Sequence, residues 1–455
     1  MKRIYTAVLL FFLLFPFLSL SQDAKELFEG KVATDVLQNN VDQIYTDLKE
    51  NHPNLYKFIS KRALDSKFDS LKGTIEFPIS RMEFRYKVLT VLQKIGDGHL
   101  TLTMNGGHIS SEDYQNYIGK KIRPIDQFSF KVLDMRLYIF ESSINADIKP
   151  GTEIASLNGL PAREVITKIF DGICVDGYNL TFKYYSLNAD MFPNFYTNTF
   201  GRQDSIEFEF KGPEKKTIKI KSILPPPGLV KYLPTRLPLY YFSKDKSQVT
   251  ITIGSFGSTI QPDYQTLFNS LKTYGTKTLV LNLRDNLGGE PVNATKLFSY
   301  LISKPQYFAR VPKDVLNDPK KTPKESLKIG ITSKINPAEN SFQGKIYLIV
   351  NGGSFSATAI LAANLQASNK DIVIVGEETG GGREGCTGGL FKQTQIEGSN
   401  LSLRYGQVPF KSFKEVPQDG KGVMPTHEIK YTIQDYLLNR DLELEWVFNN
   451  STESK

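Results

Sequence analysis

The chain has 455 residues, of which 40% are hydrophobic, 23% charged and 12% aromatic, and its formal net charge is +8. This composition excludes a disordered chain, and the length implies two or three domains rather than one core. The positive excess is spread thinly, with no Lys/Arg block interleaved with aromatics, so nothing points to nucleic acid. Only Cys174 and Cys386 are present, which excludes a disulfide framework and a cysteine-based zinc site; whether the two pair stays open.

Residues 1–21 read as a secretory signal. Lys2 and Arg3 precede the apolar run "IYTAVLLFFLLFPFLSLS", and the small residues Ser19 and Ser21 place cleavage near Ser21. The alternative is a membrane anchor, but the run is short and Pro16 interrupts it. No cysteine near the cut suits a lipid anchor, and loss of Lys2 and Arg3 lowers the charge from +8 to +6. The expected location is periplasmic or extracellular.

Residues 22–115 are expected to be helical. Val41, Ile44, Tyr45 and Leu48 fall at helical spacing, as do Leu64, Phe68 and Leu71. A third helix opens at Ser80-Arg81-Met82-Glu83, in the form of a capping box, and ends at Gly96. The stretch "DGHLTLTM" then puts His99 at a corner leading into a strand.

From 116 to 225 short strands take over. "FSFKVLDMRLYIFESS" reads as a hairpin, and "IKPGTEIASLNGLPAREVITKIF" as a strand, a tight Asn158-Gly159 turn and a helix. "ILPPPGLVKYLP" has the composition of a stiff linker. Residues 226–455 alternate strand and helix. "QVTITI", "TLVLNL", "IYLIV" and "IVIVG" are near-continuous apolar strands, separated by "YQTLFNSLKTY", "NATKLFSYLI" and "SATAILAANLQA". That pattern implies a buried, mostly parallel α/β sheet. The polar stretch 303–342 is expected to be a surface loop.

Chemistry concentrates in "NGGSFSATAILAANL", where a strand hands over to a helix through two glycines and two serines. Ser356 at the first turn of that helix has two readings: an N-cap, or a nucleophile whose oxyanion faces the free N–H groups of the helix start. The geometry is that of a nucleophile elbow, although Gly-x-Ser-x-Gly is absent, and Ser354 competes for the role. A second strand end, "LVLNLRDNLGG", carries Gly288-Gly289, where a backbone can approach a substrate closely. It matches no phosphate-loop or dinucleotide pattern.

Taken in order, "KIGDGHLTL", "GTEIASLNG", "LVLNLRDNLGG", "NGGSFSATAILAANLQ" and "IVIVGEETGGG" resemble the tail-specific (C-terminal processing) serine peptidases over most of the chain. The resemblance implies a crotonase-like (ClpP/crotonase-type) α/β core at 226–455, joined to a helical region at 22–115 and a PDZ-like β-rich module at 116–225. It implies Ser356 as nucleophile, and an oxyanion hole from the backbone of Gly288, Gly289 and Ala357. One branch of the family uses a lysine after its "G-E-x-T" segment. Here that place holds Gly382, leaving Lys392 as an alternative base. The branch similar to the core of the tricorn protease uses Ser, His and an acid, which implies His99 as base and Asp419, before "GVMP", as acid; Glu415 is a second candidate acid. His52, His108 and His427 are the remaining histidines, with His108 the nearest rival. The implied function is hydrolysis of unfolded or extended polypeptides, with no metal or cofactor. A catalytically inactive peptide-binding protein on the same scaffold is the rival from another class.

Overall fold

The computed structural model describes residues 24–104, 112, 116–117, 119–142, 144, 148–212, 216–225, 238–257, 261–318 and 324–451. The expected signal segment, His108 and most of the expected linker lie outside the described residues. No helix among the described residues is long and apolar enough to cross a membrane.

Three amphipathic helices form the front of the molecule. Thr34–Asn51 buries Leu37, Val41, Ile44 and Leu48; Lys61–Gly73 buries Leu64, Phe68 and Leu71; Arg81–Leu92 buries Phe84, Val88 and Leu92. Ser60 and Ser80 cap the second and third, their hydroxyls accepting the amides of Ala63 and Glu83 at 3.2 Å. A short 3-10 turn, Gln93–Ile95, follows and stops at Gly96, whose φ of 74° is left-handed. These helices do not close a core alone. Leu401, Leu403 and Tyr405, from a long rear hairpin of Gly385–Ile396 and Leu401–Ser412, complete it. The strand Thr101–Met104 joins that hairpin edge antiparallel, with Leu102 opposite Leu403 and Thr101 opposite Arg404.

The middle of the chain is an antiparallel sheet in the order Ser129–Leu133, Arg136–Glu141, Glu153–Leu157, Ser205–Phe210, Lys216–Lys221. Its two tight hairpins turn through Asp134-Met135 and Asn158-Gly159, all four residues at positive φ. Two successive left-handed residues suit the right-handed twist of the flanking strands. The helix Ala162–Phe170 covers the sheet with Val165, Ile166 and Ile169.

The rear carries a six-stranded sheet in the order Leu239–Phe242, Gln248–Thr252, Thr278–Asn282, Lys345–Val350, Val373–Gly376, His427–Glu428. The first pair is antiparallel and the rest are parallel. The helices Tyr264–Tyr274, Pro291–Ser299 and Ala357–Ser368 fall where the apolar spacing predicts them. In the last, Ala357 through Leu365 are all buried.

The described residues of the stretch 303–342 do not form a surface loop. Phe308, Val311, Val315, Ile331 and Phe342 are buried in the rear core. Isolated anchors among polar residues carry no period, so the sequence hides them. The backbone is pinned instead by mutual hydrogen bonds of Gln306 and Ile335, and by pairing of Ala309–Arg310 with the long hairpin.

The C-terminal helix Leu442–Ser451 is tied to the sheet by charge. Arg284, just past the strand Thr278–Asn282, donates to Asp441 at 2.7 and 3.0 Å and to the buried Glu443 at 2.8 Å. Arg284→Ala leaves Glu443 buried without its cation. It should lower the unfolding free energy by about 3–5 kcal/mol, partly recovered in the double variant with Glu443→Gln, as read by urea denaturation. Close by, burial and the Glu443 charge push the Glu377 carboxyl up from 4.5 to about 7. A raised folded value means that ionisation opposes folding, so this group's contribution is fully present below pH 4.5 and is lost as pH rises through about 7. Glu377→Gln should therefore melt like wild type near pH 4.5 and be more stable by about 3 kcal/mol at pH 8, as read by thermal denaturation at both pH values.

Candidate active site

The strand Lys345–Val350 ends in the turn 351–355, and Ser356 follows with φ 56° and ψ −125°. This is a costly backbone for a residue with a Cβ, and it resembles the strained bend of a nucleophile elbow. Ser356 does not act as a cap, since its side chain accepts no helix amide. Its Oγ lies 3.1 Å from His99 Nε2. Ser354, the rival, is fully buried; it donates to the Leu283 carbonyl at 2.8 Å and accepts the Asn351 amide at 3.2 Å, a structural role.

Two glycines bring the neighbouring loop against this bend. A Cβ on Gly288 (φ 93°) would stand 2.8 Å from Ser356 Cβ and 3.0 Å from the Ala357 nitrogen. One on Gly289 (φ 133°) would stand 2.0 Å from the Gly257 nitrogen. Asn286, fully buried, clamps the loop. Its side chain donates to the Ile253 carbonyl at 2.9 Å and accepts the Gly288 amide at 3.0 Å, while its carbonyl accepts the Phe355 amide at 3.1 Å. The Gly288 N–H is thereby committed. Among the described hydrogen bonds, the Gly289 and Ala357 amides donate to no partner.

His99 arrives from the front on the tight turn 97–100, where Leu100 N–H donates to the Asp97 carbonyl. Its ring lies 4.7 Å from that of Phe355 between centroids. Gly98 is needed here, because a Cβ would meet the Phe355 ring at 2.8 Å. His99 Nδ1 is buried and makes no described hydrogen bond; Asp97 Oδ1 is 4.0 Å away. Asp97 also accepts the His99 amide at 2.8 Å, and its other oxygen meets His52 Nε2 at 2.8 Å. His52 Nδ1 accepts the Asn54 amide, so Nε2 carries the proton donated to Asp97. Burial pushes the Asp97 carboxyl up, but the bond and charge of His52, with the charge of His99, outweigh it and hold the group below the usual carboxylate range.

Asp176 stands in the same cluster, its two oxygens accepting the amides of Gly98 at 2.8 Å and Gly382 at 3.0 Å. Burial, and the Asp97 charge, push its carboxyl up. Asp97, His99 and Asp176 lie close enough to suggest a metal cluster. Each of the four carboxylate oxygens already faces an N–H donor, which fits an orienting network better than an ion cage. Beside Asp97 and Asp176 a cavity of about 270 Å³, lined also by His52 and Glu384, has room for water.

The remaining expected residues stand in other company. Asp419 is 40% exposed at its side chain and pairs with Arg383. Glu415 pairs with Arg310 and is 91% exposed. Lys392 lies on the long hairpin with its ammonium on Asp47, which also accepts the Tyr405 hydroxyl. The His427 ring stacks on Trp446. Cys174 and Cys386 are both free thiols; Cys174 is buried, and Cys386 lines the cleft beside Ser356. Sequence reasoning missed Asp97, Asp176 and Asn286. Asp97 had a signal, two residues before His99, and Asn286 had one, two before Gly288. Asp176, in "CVDGYN", had none, because only folding brings it near.

Residues 249–429 match the model of peptidase family S41. No curated protein matches the chain. Among solved structures, mature CPAF superposes with a TM-score of 0.61 at 12% identity, over 92% of this chain and 99% of that one. The photosystem II D1 C-terminal processing protease gives 0.44 at 13% identity, over 87% and 93%. The tricorn protease gives 0.41 at 13% identity, over 92% of this chain and 37% of that one. The segment that matches peptidase family S41 supplies both Ser356 and the Gly288-Gly289 loop, and the chain is a serine-type peptidase.

Proposed function

We propose that the protein is an exported endopeptidase that cleaves extended polypeptides through an acyl-enzyme on Ser356, with His99 as general base. The observation that carries this reading is the 3.1 Å contact between His99 Nε2 and Ser356 Oγ. His99 takes the hydroxyl proton as Ser356 attacks the scissile carbonyl. The oxyanion that forms is held by the Gly289 and Ala357 amides, the two left free by the Asn286 clamp. His99 then returns the proton to the leaving amine. Water, deprotonated by the same imidazole, hydrolyses the ester.

Asp97 is the acid that this reading favours over Asp419. It is buried, held as carboxylate, and has an oxygen 4.0 Å from Nδ1. A Lys392 dyad is disfavoured by the Asp47 ion pair. Export rests on residues 1–21. The middle antiparallel sheet is read as a PDZ-like module that guides substrate by adding a strand to its edge, and the rear as a crotonase-like core.

Labelling by a fluorophosphonate probe tests the nucleophile and base together. Wild type and Lys392→Ala should label, whereas Ser356→Ala and His99→Ala should not; labelling that survives His99→Ala and is lost in Lys392→Ala would reverse the choice of base. For the acid, Asp97→Asn should lower kcat/KM by about 10²–10⁴-fold and move the acid limb of its pH profile. Asp419→Ala should change kcat/KM by less than about threefold in the same assay, since its partner is an exposed ion pair.

A further inference from the structure

A cavity of about 930 Å³ opens beside Ser356. Its walls include the buried side chains of Phe308, Leu327, Ile360 and Phe410. Leu287 and Ile329, 44% and 42% exposed, form an apolar lip. Such exposed side chains at the rim of an apolar hollow mark a binding surface more often than a packing defect. The hollow is built from Phe308, Ala309 and residues between 324 and 331, from the long hairpin, and from one turn of the serine's own helix. Gly389 keeps it open: at φ 70° its backbone already disfavours a side chain, and a Cβ there would meet the Phe410 ring at 2.9 Å and Leu327 at 3.2 Å.

The placement of the hollow relative to the proposed chemistry decides what it takes. Ile360 lies one helical turn beyond Ala357, and Leu287 is adjacent to the Gly288-Gly289 loop. The hollow therefore extends from the amides that face the carbonyl oxygen. His99, packed on Phe355, stands where the leaving amine must collect its proton. We infer that this cavity is the primary specificity pocket, and that it selects a large apolar side chain, of Leu, Met or Phe size, on the residue that contributes the scissile carbonyl. This rests on the Ser356 reading above.

The selection has a physical cause on each side. An ionised side chain among Phe308, Leu327, Ile360 and Phe410 loses its water and gains no partner. Glycine or alanine leaves those walls without contacts. Of the charged groups at the cavity, Glu290, Lys324 and Arg404, the last stacks over the Phe391 ring at 3.6 Å.

The test is a peptide mixture varied at one position and digested by the purified full chain, with cleavage sites read by mass spectrometry. Cleavage after Leu, Met or Phe should exceed cleavage after Ala by about 100-fold in kcat/KM, and exceed cleavage after Asp or Lys by more. Ile329→Glu, an exposed substitution that should leave the fold intact, should depress cleavage after Leu and Phe and raise cleavage after Lys. Fluorophosphonate labelling of both proteins serves as the folding and nucleophile control. Labelled wild type that hydrolyses peptides without this preference, or whose preference lies after the scissile bond, overturns the pocket assignment and leaves the Ser356 reading standing. Absence of both labelling and hydrolysis overturns both.

Discussion

The antiparallel pairing of Thr101–Met104 with Leu401–Arg404 is the contact on which the site depends. Those two segments are separated by most of the chain, so bringing them together carries a large loop-closure penalty. It is offset by a shared core, in which Leu102 from the front lies with Leu401, Leu403 and Tyr405 from the rear. The imidazole is placed by this joint. His99 sits two residues before the paired strand, and the turn that holds it is fastened by buried Asp97 and Asp176, not by exposed side chains. The front helices are therefore part of the site's frame, even though Ser356 belongs to the rear.

Opposite that joint, the serine is held by strain. Its positive φ costs of order 1–3 kcal/mol and persists only because its surroundings fix it. The helix that follows is buried on nearly every side, Asn286 ties the Phe355 amide to the glycine loop, and Gly288 leaves no room for the bend to relax. Capping would have satisfied a helix amide. Instead the hydroxyl is turned out of the helix, and amide groups that a cap would take remain open. Donors arranged in advance in this way need no reorganisation when charge develops.

Much of this was readable from residue order. The parallel strands announced themselves as apolar runs, the hairpin by Asn158-Gly159, and Ser356 by glycines before an alanine-rich helix. These are local signals, in which neighbours in sequence are neighbours in space. What resisted reading depended on distant partners. Phe308, Leu327 and Ile331 are scattered among polar residues, and only the cavity they line gives them a common purpose. Asp176 carries no pattern at all. Asp419 precedes a recognisable segment, yet stands paired with Arg383 at the surface, because proximity in a motif does not fix where a carboxylate points. The Gly288 amide was expected to face substrate, and a buried asparagine two residues earlier claims it.

The long-range joint has a temporal consequence. During synthesis the front helices emerge first, whereas the hairpin that receives their strand is made near the end. Until then the strand that follows His99 has no partner, and the imidazole is not held against Ser356. Assembly of the last rear elements is the event that brings the imidazole to the hydroxyl.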